Sequence, residues 1–318
     1  MQQGYDLIGD VHGCGETLIL LLEQMGYRKI NGVFQHKSRK VVFLGDIIDR
    51  GPHIRLACDI VRNMVEAGSA HMIMGNHEYN AVTYMTPAPA GVDRPYLRPH
   101  SERNNFIVQQ TVEQFANYPQ ELKDYLDWFT ELPLFLEFDH FRVVHACWDQ
   151  TLINEFIGRF GGNQLHRGLL SESVNPDTFL FQFLDRILRG TSLKLPNNRS
   201  MTAKDGMVRQ FFRTKFWSQN PQVYNDVVFQ PDPLPVDLSH ASLSAAEKEK
   251  LLYYSETEKP LFFGHYWMSG VPSTIRDNIA CLDYSAVKYG RLVAYRMDNE
   301  KQLNNGKFTW VRVDKSEQ

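Results

Sequence analysis

The pattern of hydrophobic and polar positions divides the first 85 residues into short apolar runs and amphipathic segments. Apolar runs typical of strands cover residues 5–8, 41–44 and 70–74. Between them, residues 17–25 and 54–65 carry apolar side chains at helical spacing. This alternation predicts a parallel sheet with right-handed helical crossovers, and therefore an α/β core.

The pattern changes after residue 85. A stretch rich in proline and glycine, residues 86–99, predicts a loop, and two helices are predicted after it at residues 104–117 and 120–131. Residues 133–138 and 141–145 read as two adjacent strands. Four further strands are predicted towards the end of the chain, at residues 259–264, 279–282, 291–297 and 307–313.

Residues 149–258 lack a clear strand–helix alternation. We interpret them as a mainly helical insertion, a possible cap that lies over or beside the functional site. The predicted organisation is a first core part at residues 1–148 with a loop and helical excursion at 86–118, the insertion at 149–258, and a second core part at 259–318.

Composition narrows the class of protein. The chain has 318 residues, a formal net charge of -3, 43% hydrophobic and 22% charged residues, as ordinary globular proteins do. This balance gives no strong sign of general nucleic-acid binding. No signal-like start and no apolar run of about 20 residues are visible, so we expect no membrane association. The four cysteines form no CxxC pair, which favours reduced thiols and a cytoplasmic location.

The first two strand-like runs end at polar residues. Asp10 and His12 follow the first run, and Asp46, Asp49 and Arg50 follow the second. Asp10 and His12 are two positions apart, so on an extended segment their side chains project to the same side. Because ligands of open α/β sheets bind at the carboxyl ends of the strands, we expect these residues to line one polar site.

Other strand-like runs end at further candidate ligands. Asn76 and His77 follow the third run, while His145 and His265 each end a later apolar strand. Asp10, Asp46 and Asn76 offer three oxygen donors, and the set adds three imidazoles, from His12, His145 and His265, without a thiolate. It exceeds the needs of one tetrahedral zinc and suits two divalent ions that share a carboxylate. Two metals about 3.5–4 Å apart are a recurring device for phosphoryl hydrolysis.

Five segments in this order, GDVHG, GDIIDRG, GNHE, VHA and FGH, resemble those of the calcineurin-like metallophosphoesterases. The resemblance covers residues 5–146 and 259–297 and is closest to the branch of Ser/Thr phosphoprotein phosphatases and symmetrical diadenosine tetraphosphate hydrolases. It implies an α/β fold (α+β by some conventions), a four-layer αββα sandwich of two mixed sheets flanked by helices.

The resemblance also implies roles for the polar residues. Two divalent metals would be bound, with Mn²⁺ favoured and Fe, Zn, Co or Ni open. The first metal would be held by Asp10, His12 and Asp46, and the second by Asp46, Asn76, His145 and His265. Many members of the family carry GHxH in the last motif, whereas this chain has Gly264-His265-Tyr266-Trp267. The missing second histidine is usual in the phosphoprotein phosphatase branch.

Proton transfer and phosphate binding fall to other residues of the same motifs. By the resemblance, His77 is the general acid that protonates the leaving oxygen, and Asp49 orients it. Arg50 and Asn76 would bind the substrate phosphate. The segment Phe211-Phe212-Arg213-Thr214-Lys215-Phe216 resembles a segment of the diadenosine tetraphosphate hydrolases, which points to Arg213 as a second phosphate-facing arginine.

Two features leave alternatives open. The aromatic residues of the segment 211–217 would form the core of the insertion or, less simply, a platform for a nucleobase. Cys14, two residues after His12, would be a small buried residue or a redox-sensing thiol.

We expect a divalent-metal-dependent hydrolase in which a hydroxide bridging two metals attacks phosphorus directly. The first hypothesis is a Ser/Thr-phosphatase-like phosphomonoesterase, whose substrate is a phosphoprotein, a nucleotide or a small phosphoester. The second is a dinucleoside polyphosphate hydrolase, such as one that cleaves diadenosine tetraphosphate. The third is a non-catalytic binding protein on a phosphatase fold. The sequence leaves the oligomeric state open.

Overall fold

The computed structural model describes residues 3–196, 199–202, 208–229 and 234–314. The strands are β1 (Gly4–Ile8), β2 (Arg28–Ile30), β3 (Val33–Gln35), β4 (Arg39–Phe43), β5 (Ala70–Met72), β6 (Phe135–Glu137), β7 (Arg142–Val144), β8 (Ser192–Lys194), β9 (Met201–Thr202), β10 (Val208–Arg209), β11 (Phe211–Thr214), β12 (Val228–Phe229), β13 (Leu261–Phe263), β14 (Ile279–Cys281), β15 (Asp283–Tyr284), β16 (Arg291–Met297) and β17 (Phe308–Arg312).

The helices are α1 (Gly15–Gln24), α2 (Ile54–Glu66), α3 (Asn76–Met85), α4 (Glu102–Gln114), α5 (Pro119–Phe129), α6 (Gln150–Phe160), α7 (Leu170–Ser173), α8 (Phe179–Arg189), α9 (Tyr224–Val227), α10 (Val236–Ser239) and α11 (Ala245–Lys248). In the part of the chain that the structure describes, every helix is too short or too polar to span a bilayer.

The larger sheet grows from the strand–helix alternation of the first 85 residues. Its strand order is β15-β16-β1-β4-β5, and β17 also pairs with β16. Strands β1, β4 and β5 are parallel, as predicted, whereas β16 lies antiparallel to β1. Strands β2 and β3 form a small hairpin between α1 and β4 that the sequence reading did not predict.

The second sheet has the order β14-β13-β7-β6. Strands β6 and β7 form the predicted antiparallel pair, and β13 runs parallel to both β7 and β14. Both sheets are therefore mixed, as the resemblance to the metallophosphoesterases implies.

The two sheets share one apolar layer, and helices cover the outer side of the larger sheet. Leu7 and Val42 lie in a buried cluster with Phe262 of the second sheet. Their neighbours Ile8 and Phe43 lie instead in the cluster that contains the apolar faces of α1 and α2. Alternate residues of each strand therefore serve different layers. The predicted α/β fold of mixed sheets and flanking helices is confirmed.

The region between Gln150 and the start of β13 begins with helices, as predicted, but then adds strands. Strands β12, β11 and β8 form a small antiparallel sheet with its own apolar cluster. Phe212 is buried in that cluster, whereas Phe216 packs on Phe263 and Tyr266 of the core. These contacts favour core packing over a nucleobase platform for both rings. The division at residues 149 and 258 stays a prediction.

Candidate metal centre

The polar side chains that follow the strands meet at one edge of the two sheets. Strands β1, β4 and β5 of the larger sheet lead into Asp10, Asp46 and Asn76, and strands β7 and β13 of the second sheet lead into His145 and His265. Because parallel strands share a direction, their carboxyl ends converge and bring these loops together. The structure therefore places the predicted ligands at one site.

The backbone is strained at this site. His12, Asp46, Asp49, Arg50 and His265 all have left-handed φ values, between 44° and 69°. Such conformations are uncommon outside glycine and cost about 1–3 kcal/mol each, and they cluster at functional sites. The surrounding fold holds five polar residues in this arrangement at the expense of stability.

Asp46 lies at the centre of the site and is almost completely buried. Its Oδ1 accepts a hydrogen bond from the backbone N–H of His77 (2.8 Å), at the first turn of α3. Its Oδ2 faces the Nε2 atoms of His145 (3.3 Å) and His12 (3.7 Å). Burial alone would raise the pKa of Asp46, but the nearby imidazoles of His145 and His77 hold it well below its usual range.

Backbone carbonyls orient two of the histidines. Nδ1 of His12 donates to the carbonyl of Ile48 (2.9 Å), and Nδ1 of His145 donates to that of Leu44 (2.7 Å). This pairing leaves Nε2 of each ring pointing into the site, which is the arrangement of metal-binding histidines. Burial lowers the pKa of His145, but the Asp46 carboxylate outweighs it and raises that pKa to about 10.

Two groups of side chains could each hold a divalent cation. They are His12, Asp46 and His77, and Asp46, His145 and His265, with the ligand atoms of each group within 4.8 Å of one another. Asp46 belongs to both groups. In the second group, Asn76 Oδ1 lies 3.0 Å from Nε2 of His145, so Asn76 also faces this position.

Asp10 also contacts the loop of the second group. Its carboxylate accepts the backbone N–H of His265 (3.2 Å), so it borders the second group as well as His12. A side chain at Gly264 would meet Asp10 Oδ1 at 2.0 Å, so only glycine permits this approach. His77 lies in the first group by distance. The division of ligands between two metals stays a prediction.

The donor set fits divalent cations. Asp10 and Asp283 are both buried, and burial together with the other acidic groups raises both pKa values. Oδ2 of Asp283 is buried without a hydrogen-bond partner among the described residues. Clustered carboxylates, an orphaned oxygen and inward-facing imidazole nitrogens are the environment that a bound divalent cation stabilises.

Asp283 and Glu78 also belong to the site, although the sequence did not predict a role for either residue. Glu78 is fully buried, and its carboxylate accepts backbone N–H groups of Asp46 (2.8 Å), Ile47 (2.8 Å) and Gly75 (2.9 Å). Burial and the Asp46 charge raise its pKa to about 7, although the hydrogen bonds oppose the shift. Glu78 thus fixes the Asp46 loop to α3. Its position in GNHE was the available signal.

The predicted acid pair is formed. His77 Nδ1 lies 2.6 Å from Asp49 Oδ2, and both residues are buried. The hydroxyl of Thr111, from α4, donates to Asp49 Oδ1 and accepts the backbone N–H of Asp49 (3.1 Å). Thr111 was not foreseen, because it lies 62 residues away in a helix without a motif. It holds the carboxylate that in turn orients the imidazole.

Two arginines contact the site, and each contacts a different ligand group. Arg50 directs its guanidinium nitrogens towards Nε2 of His77 (3.2 Å) and Nε2 of His12 (3.4 Å). Arg213 donates to the carbonyl of His265 (2.7 Å) and to Nε2 of that ring (2.7 Å). Arg50 thus touches both histidines of the first group, and Arg213 touches one histidine of the second. Arg213 reaches the site from β11, and burial lowers its pKa.

Trp267 occupies the position of the absent second histidine. The guanidinium of Arg50 lies 5.5 Å from the centre of its ring, and the amine of Lys288 lies 3.9 Å from it. Its half-buried indole therefore borders the site on the Arg50 side.

The chain matches one protein family and several curated proteins. The family profile described as calcineurin-like phosphoesterase matches residues 6–265. A bis(5'-nucleosyl)-tetraphosphatase PrpE [asymmetrical] of Halalkalibacterium halodurans is 30% identical over 176 residues, which cover 54% of this chain and 68% of that protein. The protein of the same name from Oceanobacillus iheyensis is 48% identical over 73 residues, 23% of this chain and only 29% of its own length.

Among solved structures, the cold-active protein-tyrosine phosphatase of a Shewanella species superposes with a TM-score of 0.51 at 16% identity. The superposition covers 99% of this chain and 81% of that protein. At this identity the likeness supports the fold alone.

Proposed function

This chain belongs to the calcineurin-like phosphoesterase family and is a hydrolase of phosphoester or phosphoanhydride bonds, and we propose that its substrates are dinucleoside polyphosphates. This choice of substrate is supported by the name that the similar proteins share, bis(5'-nucleosyl)-tetraphosphatase. The match to one of these proteins covers 68% of its length. Of the hypotheses drawn from the sequence, this favours the second over the phosphomonoesterase.

We propose that one divalent metal is held by Asp10, His12 and Asp46 and a second by Asp46, Asn76, His145 and His265, with Mn²⁺ as the favoured ion. His77 borders the first group and stays free for proton transfer. Bound divalent ions supply positive charge for the phosphoryl oxygens and lower the pKa of the attacking water. Glu78 and the backbone carbonyls of Leu44 and Ile48 keep the ligands in place before substrate arrives. Such preorganisation is the larger part of catalysis by charge.

The arginines bind the phosphoryl group. Arg50 and Arg213 stand beside different ligand groups, and each presents a planar fork that suits two phosphoryl oxygens. In the free enzyme these forks rest on His77 and His265. When substrate binds, the Arg50 fork turns from Nε2 of His77 to the phosphate and frees that nitrogen.

His77 then donates the proton. Its Nδ1–H is held by Asp49, so the charged imidazole can present Nε2–H to the leaving oxygen. A nucleotide leaving group is much less basic than an alkoxide, so a phosphoanhydride needs this proton less than an alkyl phosphate does. Trp267 supports the proposal because its half-buried ring lies 5.5 Å from the Arg50 guanidinium, and aromatic side chains of this kind stack on nucleobases.

A substrate panel with Mn²⁺ tests the proposal. Initial rates are measured on diadenosine tetraphosphate, ATP, a phosphoserine peptide and p-nitrophenyl phosphate, and the nucleotide products are separated. We expect kcat/KM for diadenosine tetraphosphate to exceed that for the phosphopeptide at least about tenfold, which corresponds to one good contact of the second nucleoside. A preference for the phosphopeptide would overturn the proposal in favour of a phosphomonoesterase.

A further inference from the structure

A cavity of about 510 Å³ lies against α3 and α8, outside the residues of the metal centre. Among the described residues that line it, four are arginines, Arg94, Arg98, Arg103 and Arg189, and one is acidic, Asp185. Such a concentration of one charge in a cavity is unusual, because like charges repel and desolvation adds to the cost.

Only one of these arginines is paired with the aspartate. Arg189 contacts Asp185 (3.1 Å) and the side-chain oxygen of Asn80 (2.9 Å). Within the described residues, Arg98 has no carboxylate in ion-pair distance, and Nε of Arg94 is buried without a hydrogen-bond partner. Burial, with Arg189 nearby, lowers the pKa of Arg98 to about 10. The cavity therefore holds positive charge that the protein itself leaves unneutralised.

The loop that carries Arg94 and Arg98 is fixed. The backbone N–H of Arg98 donates to the carbonyl of Thr83 on α3 (3.0 Å). His100 is stacked between Tyr84 and Tyr96, with ring centres 3.7 Å and 4.2 Å away. This anchoring holds the loop against α3, so the arginines are set in place before any ligand arrives.

The cavity is close to the metal centre. Tyr79 lines it, and the neighbouring Asn80 binds Arg189, while Asn76 and His77 begin the same helix at the metal centre. At about 1.5 Å of rise per residue, Asn80 lies about 6 Å along the helix axis from Asn76. A ligand in the cavity and a phosphate at the metal centre would thus lie on successive parts of α3.

We propose that this cavity binds a phosphate group of a phosphorylated ligand. Guanidinium groups match phosphate oxygens in pairs, and a multiply charged anion neutralises the surplus of three positive charges in the lining better than a carboxylate does. A volume of about 510 Å³ is in the range of sites for small molecules. The proposal does not depend on which substrate is hydrolysed at the metal centre.

Calorimetric titration with tripolyphosphate tests the site on the full-length chain stripped of metal. Arg98→Met is compared with Arg50→Met at the metal centre and with Arg167→Met, an exposed arginine paired with Asp127 on another face. We expect Arg98→Met to weaken one binding event at least about tenfold, and the other two variants to leave that event within about twofold. Arg94→Met is titrated in the same way and should also weaken that binding event, so the test does not depend on the correct folding of one variant.

Kinetics then separate the two sources of phosphate. If the substrate's own distal phosphate enters the cavity, Arg98→Met raises KM for diadenosine tetraphosphate and leaves KM for p-nitrophenyl phosphate unchanged. If free phosphate enters it, both KM values stay unchanged and inorganic phosphate no longer binds the variant. The proposal would be overturned if Arg98→Met and Arg94→Met both bound tripolyphosphate as the wild type does and Arg50→Met bound none. All binding would then occur at the metal centre.

Discussion

The metal centre and the arginine-lined cavity beside it arrange their charged groups in opposite ways. At the metal centre, carboxylates and imidazoles of opposite character face one another, and Asp46 is surrounded by partners. In the cavity, Arg94 and Arg98 bring charges of one sign together without a matching carboxylate among the described residues. Most side chains of the centre therefore have a partner of opposite character within the protein, whereas the cavity is neutralised only with an anion in it.

The two regions differ in their expected contribution to the stability of the folded protein. A network of complementary charges with satisfied hydrogen bonds can stabilise a protein, but an uncompensated buried charge destabilises it. Substitutions in the two regions should therefore change stability in opposite directions, while only those at the metal centre should abolish chemistry.

The largest effect is expected at the ligand shared by both groups. Asp46→Asn removes the charge that faces His12 and His145, so we expect Mn²⁺-dependent hydrolysis of p-nitrophenyl phosphate to fall about 10³-fold or more. Asp139→Asn, at an exposed position after β6, is the matched control and should be neutral. Comparable activity of Asp46→Asn and wild type would remove the contrast between the two regions.

The acid pair should give the next effect. His77→Asn is expected to slow hydrolysis of alkyl phosphates about 10²–10⁴-fold and hydrolysis of p-nitrophenyl phosphate much less, because nitrophenolate leaves without a proton. The ratio of the two losses, measured as kcat, is the readout. Equal losses on both substrates would show that His77 acts in binding instead of proton donation.

The arginine of β11 should act on substrate binding. Arg213→Met removes a fork that touches His265, and we expect kcat/KM to fall about 10- to 100-fold. Arg213→Lys keeps the charge but loses the planar fork, so it should recover only part of the loss. Full activity of Arg213→Met would limit this arginine to packing against Tyr266.

Thermal unfolding of metal-free protein compares the two regions directly. Glu78→Ala leaves three buried backbone N–H groups without their acceptor, so we expect a loss of about 3 kcal/mol or more and a lower Tm. Arg98→Met removes an unpaired charge, so we expect a gain of about 0.5–1 kcal/mol and a higher Tm. A lower Tm for Arg98→Met would show that its guanidinium is stabilised within the folded protein.

The smallest effect concerns the thiols. All four cysteines are buried, and burial raises the pKa values of Cys58, Cys147 and Cys281. We expect native protein to react with a thiol reagent at least about tenfold more slowly than unfolded protein. Fast labelling of Cys14 in the native state would restore the redox-sensing alternative for that residue.

The sequence was most informative where chemistry sits in short contiguous motifs. Asp10, Asp46 and Asn76 follow apolar strands directly, so the strand pattern and the motif together located one edge of the sheet. The same reasoning extended to His145 and His265, because each also ends a buried strand. The α/β fold could be predicted for the same reason, since these strands alternate with amphipathic helices.

Residues that act from a distance could not be predicted in this way. Thr111 supports Asp49 across 62 residues, and nothing in the pattern of α4 distinguishes its inward face as part of a site. The arginine cavity joins a loop to α8, so its residues are neighbours only in the folded chain. The short strands of residues 192–229 are too brief to show a period of two.

The central claim, a pair of divalent metals joined by Asp46, is tested most directly by counting bound metal. Equilibrium dialysis against Mn²⁺ followed by elemental analysis should find two ions per wild-type chain and one or none in Asp46→Asn. A single ion per wild-type chain, or two ions retained by Asp46→Asn, would contradict the account.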